Sequence, residues 1–244
     1  MSQQQIVGTD ILLEFLEVAF HQILFVRNLY PKEIFVRKQI YGIGVQISEH
    51  PELNSYIKEV LNSIRELIRH EENCIRKIVL CFYKEDRTPV EQFVFDLSNL
   101  RANLAVQDPF FLKTEESLRT LCLKLSTSGS YLKPLPQNTT FSIQIHTHEA
   151  AHVSLSENPK CDNFPWIEVE GETVSIKEQT LLPLKTIDTE YLKLQISQQS
   201  QQLIVSMHQF LLNMLQHERQ NFAHGLNETS AHKALKRTKI NSVN

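Results

Sequence analysis

Scarcity narrows the reading of this chain before any motif does. Its six glycines form no Gly-rich phosphate loop, and no G-x-S-x-G nucleophile elbow occurs. Cys74, Cys81, Cys122 and Cys161 show no C-x-x-C spacing, and the first three lie in apolar stretches. They read as free thiols of a reducing compartment, not as a disulfide framework or a zinc knuckle. The opening MSQQQIVGTD lacks the charged and apolar regions of a signal peptide, so an intracellular protein is expected. Asn138-Thr139-Thr140 and Asn227-Glu228-Thr229 then read as chance matches to the glycosylation acceptor. The longest apolar stretch is cut by Glu14, Glu17 and Arg27, so no membrane segment is expected. A formal net charge of −3 supplies no basic footprint, and no direct nucleic-acid binding is expected.

With 41% hydrophobic and 22% charged residues in 244, the chain can bury a sizeable core as one domain, with or without an appendage. The patterning is α+β. Thr9 to Pro31 reads as a helix whose polar positions Asp10, Glu14, Glu17, His21 and Asn28 share one narrow stripe. Such a helix is buried around most of its circumference, against a sheet with other helices beside it. A second helix, about Pro51 to Arg69, aligns Leu53, Ile57, Leu61, Ile64 and Ile68. "RKIVLCFYK" and "TPVEQFVFDL", joined by Glu85, Asp86 and Arg87, read as a hairpin. A third helix, roughly Lys113 to Ser126, turns Leu118, Leu121, Cys122 and Leu125 inward. Thr140 to His146 alternates Phe141, Ile143 and Ile145 with Ser142, Gln144 and His146, the period of a strand.

That strand bears on the string His148-Glu149-Ala150-Ala151-His152, which matches the H-E-x-x-H of zinc proteases. Both histidines would have to stand on one face of a regular helix, with a third ligand further on. Here the string starts two residues past an alternating strand, and Leu155 and Asn158 stand where the metzincin continuation needs Gly and His. It reads as a strand end followed by a solvated turn, so no metal, cofactor or catalytic residue is assigned. A zinc-dependent hydrolase built on His148, Glu149 and His152 stands as the alternative. The scattered histidines His21, His50, His70 and His146 read as structural.

Several strings, in order and spacing, resemble the HORMA-domain family: "DILLEFLEVAFHQILFVRNLYP", "IFVRK", "HPELNSYI", "RTPVEQFVFDL", "IHTHEAA", "NFPWI", and "LLPLKT" followed by "YLKLQI". Within it they are most similar to accessory subunits of translesion DNA polymerase zeta. The resemblance covers about Thr9 to Ser197. It implies the HORMA fold, three helices packed on an antiparallel sheet, with a C-terminal safety belt, here about 152–197, that wraps over a partner peptide. It implies a non-enzymatic adaptor in translesion DNA synthesis and repair, in the nucleus, with the cytoplasm as a second location. A mitotic-checkpoint HORMA adaptor is a second possibility. The family positions of His148 and His152 hold Arg and Thr, which argues against a shared metal site.

The resemblance also implies residue roles. Tyr56, Pro165 and Trp166 would contact the belted peptide, supplied by the catalytic subunit of DNA polymerase zeta; Tyr56 and Trp166 would equally suit core aromatics. Leu181, Leu184 and Gln195 would form the outer belt face that docks the C-terminal domain of a scaffolding translesion polymerase. Arg119 and Arg37 would serve pairing with another HORMA domain, as a homo- or hetero-dimer. The chain departs from the family at Glu168 (apolar elsewhere), Ser197 (aromatic elsewhere) and Asn28 (acidic elsewhere). Outside the domain, residues 1–8 are expected to be disordered. Residues 198–244 are expected to form an extension, with a polar hinge from Ser197 to Gln202. An amphipathic helix over about 202–218 would carry the stripe Leu203, Met207, Phe210, Leu211 and Met214 and pack on the domain or a partner. A basic tail, His232 to Lys239, follows.

Overall fold

The computed structural model describes residues 3–70, 74–97, 112–130, 132–147, 180–188 and 193–200. Helix α1 runs Gln3–Val26. It carries the centre of the core: Leu12, Phe15, Leu16, Ala19, Phe20, Ile23 and Leu24 are fully buried, as a helix apolar nearly all round requires. Residues 3–8, expected to be disordered, are helical instead. Three glutamines, good helix formers, simply continue the helix ahead of exposed Ile6 and half-buried Val7. Its other end is set by Asn28 and not by Pro31. Asn28 adopts φ 50°, donating to the Phe25 carbonyl at 3.0 Å while the Leu29 N–H reaches the Leu24 carbonyl at 3.2 Å. That is a Schellman closure with Asn in the left-handed position.

Strands β1 (Phe35–Ile40) and β2 (Ile43–Ser48) follow as an antiparallel hairpin. Its two-residue turn places Tyr41 at φ 51° and Gly42 at φ 70°, the double positive φ of a type I′ turn. Helix α2 (Pro51–His70) buries Leu53, Ile57, Val60, Leu61, Ile64 and Leu67. The five-stranded antiparallel sheet contains β3 (Ile75–Tyr83), β4 (Pro89–Asp96), β5 (Thr140–Thr147), β6 (Thr180–Asp188) and β7 (Lys193–Ser200). Its order is β5-β3-β4-β7-β6. Helix α3 (Leu112–Ser128) packs beside α1 and buries Leu118, Leu121, Cys122 and Leu125. Phe20 meets Phe95 of β4 edge-on at 5.6 Å, joining helix layer to sheet.

Two consequences matter for function. The sheet ends on β5 at one side and on the β6–β7 hairpin at the other, so the segment joining β5 to β6 links opposite edges. Strand β7 also continues through Ser200, past the hinge expected from Ser197. The polar run Ser197–Ser200 reads as linker, but its fully buried Gln198 lies opposite Phe93 on β4. The chain divides into two compact units, Met1–Leu203 and Ile204–Asn244, and every described residue belongs to the first. The expected helix over 202–218, the basic tail and most of the belt, including "WIEVE" and "TVSI", lie outside the described residues. Among those described, no helix is long and apolar enough to cross a membrane.

Candidate functional site

The open edge of β5 is shaped by a side chain from α2. Ile143 turns its N–H away from β3, and the Tyr56 hydroxyl accepts it at 3.3 Å. Because backbone groups alternate sides along a strand, Phe141 and Ile145 turn theirs to the same edge. The Tyr56 ring packs edge-on against Phe141 at 5.7 Å, and Phe141 meets Tyr30 at 6.2 Å. Burial raises the Tyr56 phenol above its ordinary pKa, the Ile143 N–H draws it back, and Tyr30 adds to the rise. The result is a half-buried aromatic cluster flanking main-chain groups at a sheet edge, the combination that adds a peptide strand with side-chain selectivity. Tyr56 is the aromatic that the family resemblance points to; Tyr30 and Phe141 join it here through the fold. Pro165 and Trp166 lie outside the described residues, as do His148, Glu149 and His152.

At the other edge the belt hairpin docks on β4, pairing Phe95 with Ile196 and Glu91 with Ser200. Gln195 is exposed there, and Leu181 sits opposite Gln199. Leu184 departs from its expected place on the outer face. The register slips between Pro183 and Lys185, and Leu184, the extra residue, turns into the core at 5% exposure. Exposed Pro183 precedes it, so the ordinary alternation of a strand turns Leu184 inward. While the hairpin occupies this position, Leu184 offers a partner little surface.

Arg119 and Arg37 both bear on the β1–β2 hairpin. Arg119 Nε donates to the Tyr41 carbonyl at 2.7 Å and its Nη2 to Glu115 at 3.2 Å. Arg37 is exposed and lies across Gly44, where a Cβ would come within 2.0 Å of its Nε. Arg119→Ala should therefore loosen the turn, costing about 1 kcal/mol and lowering the melting temperature by about 3 °C. Calorimetry of the variant measures this. No drop would leave the Tyr41 contact without energetic weight.

A buried ion pair passed unnoticed in the sequence. Arg27, at the end of α1, places Nε 2.7 Å from Glu91 Oε1 of β4, off the hydrogen-bond line, while Nη2 donates to Oε2 at 3.1 Å and to the Lys133 carbonyl at 2.7 Å. Burial pushes the Glu91 carboxyl up to about 7, Arg27 opposes it, and the buried Gln198 amide of β7 opposes it too. This is structural machinery beside the belt hairpin. Among the described residues no three His, Cys, Asp or Glu side chains gather as a metal site. Cys74, Cys81 and Cys122 are buried, and burial raises the Cys122 thiol to about 12, far from a reactive thiolate. His146, on β5, is lowered to about 4 by burial, then by Lys77 and Arg76.

Comparison with known proteins decides the family. Residues 9–179 match the model of the HORMA domain. The chain belongs to the HORMA-domain family. The mitotic spindle assembly checkpoint protein MAD2B of Danio rerio is 38% identical over 190 residues, covering 78% of this chain and 89% of the relative. DNA polymerase zeta subunit 2 of Drosophila melanogaster is 30% identical over 194 residues, covering 78% and 96%. A chain of the mitotic checkpoint complex superimposes with a TM-score of 0.66 at 19% identity, covering 80% of this chain and 98% of that one. Caenorhabditis elegans HTP-2 bound to an HTP-3 closure motif gives 0.59 at 14%, covering 79% and 85%. At such identities the two structures speak for the HORMA fold alone. The expected architecture, three helices on an antiparallel sheet, is the one observed.

Proposed function

We propose that this HORMA-domain protein is a non-enzymatic adaptor, the accessory subunit of DNA polymerase zeta, working in the nucleus in translesion synthesis and repair. The observation that carries this reading is the division of labour between the sheet edges. Among the described residues no strand pairs with the outer edge of β5 beside Tyr56, while the belt hairpin docks on β4 at the far side. A peptide from the catalytic subunit of the polymerase would pair with Phe141, Ile143 and Ile145. The chain between β5 and β6 would pass over it, and Tyr56, Pro165 and Trp166 would supply its side-chain contacts. Enclosure slows release beyond what the contacts alone would give, so affinity resides in the off-rate. The relatives named as polymerase zeta subunits support this partner. Gln195 and Leu181 remain the proposed contacts for a scaffolding translesion polymerase, and Arg119 and Arg37 for a second HORMA domain.

Overlapping peptides tiling the catalytic subunit, each measured against the full chain, test the reading. One short segment should bind and leave slowly; binding by none of them would overturn it. With that segment in hand, Tyr56→Ala and Trp166→Ala should each weaken binding by about 2 kcal/mol or more, while Tyr56→Phe, which keeps the ring, should lose less. Titration calorimetry reads the difference. Unchanged affinity with a collapsed melting temperature would make these aromatics core residues.

A further inference from the structure

A directed polar contact fastens the belt hairpin to the helix layer. Lys124 of α3 donates from Nζ to the Leu184 carbonyl of β6 at 2.6 Å, across 60 residues of sequence. Leu184 is the bulged residue of β6, with no opposite number on β7, so its carbonyl stands where the ladder is interrupted. Pro183, just before it, has no N–H to give and suits an edge strand at a bulge. Among the described strands, β6 is the outermost on its side and pairs with β7 alone. The hairpin is thus held by the β7–β4 ladder, by the buried side chains of Leu184 and Ile196, and by Lys124.

Of these, the Lys124 contact is both charge-assisted and specific to this placement. A hairpin shifted off β4 could still bury leucine and isoleucine elsewhere, but Leu184 would no longer lie over α3. An interaction present in one arrangement and absent from another biases the equilibrium between them. We infer that Lys124 is a latch: it holds the belt hairpin in its docked position on β4 and thereby governs how readily the belt opens. Lys124 is a positioning residue in this role. For the peptide clasp proposed above, on which this consequence rests, an intact latch at the β6 edge lengthens retention at the β5 edge.

Native-state hydrogen exchange on the full chain, without any peptide, tests the latch by itself. Lys124→Met keeps the apolar stem and removes the donors. Exchange of the β6 and β7 amides should become about tenfold faster, with the β3 amides from Ile78 to Phe82 unchanged. Lys124→Arg, which retains a cationic donor, should restore most of the protection. Unchanged exchange in β6 and β7 would overturn the proposal. So would an equal rise in β3, which would mark Lys124 as a contributor to global stability only. Because no peptide enters the experiment, failure of the latch and failure of the clasp are told apart.

Discussion

Glu91→Ala should destabilise the domain by about 3–5 kcal/mol, enough to unfold many domains of this size. The substitution strands the Arg27 guanidinium, only 3% exposed, beside the Lys133 carbonyl that still accepts from its Nη2. Desolvating that charge without a counter-charge is the main cost; the lost hydrogen bond is the smaller part. The double variant Arg27→Met, Glu91→Leu should recover much of the stability, because a buried pair repays little beyond its own desolvation. Urea denaturation of the three proteins measures both effects. A single variant within 1 kcal/mol of wild type, on the scale of about 1 kcal/mol for an ordinary bond, would show that the pair is solvated in solution.

The second large effect is a pH dependence centred on His21. The side chain is 1% exposed on α1, and Ser48 N–H of β2 donates to its Nδ1 at 3.4 Å, which requires the neutral ring. Burial, and then the charge of Lys38, lower its pKa to about 4. The unfolded chain titrates near 6.5 and so binds more protons than the folded one between these values. Stability contributed by neutral His21 is complete above about 6.5 and is lost as pH falls toward 4, by roughly 3 kcal/mol in total. Glu91 has the opposite sign: with its folded pKa raised to about 7, the native state binds the extra protons and gains stability on acidification. The two must therefore be separated by difference. The stability gap between wild type and His21→Gln should shrink by about 3 kcal/mol from pH 7.5 to 4. A gap independent of pH would show that His21 is already protonated or solvent-accessible.

Legibility followed the distance over which each physical signal acts. The three helices and the β3–β4 hairpin announce themselves through periodicity, because each buries one continuous face. The β1–β2 hairpin escaped notice because Arg37, Lys38 and Gln39 are exposed on β1, so the strand lacks apolar alternation; Tyr41-Gly42 was the available turn signal. The end of β7 was hidden for the converse reason, since buried Gln198 looks like linker composition. Leu184 comes three positions after Leu181, so the period of a strand sets the two on opposite faces, and the family resemblance that grouped them overrode that signal. Arg27 and Glu91, 64 positions apart, each look like a surface charge until the fold joins them. Tyr56 came from family resemblance; its bond to Ile143 depends on α2 reaching the β5 edge, which no local pattern encodes.

The central claim is that the chain encloses a peptide of a DNA polymerase. Its most direct test is a pull-down from nuclear extract with the tagged full chain beside its Trp166→Ala variant, followed by identification of the bound proteins. The catalytic subunit of polymerase zeta should be recovered with the wild type and be strongly reduced with the variant. Recovery of no polymerase or repair scaffold, or equal recovery by both proteins, would contradict the account.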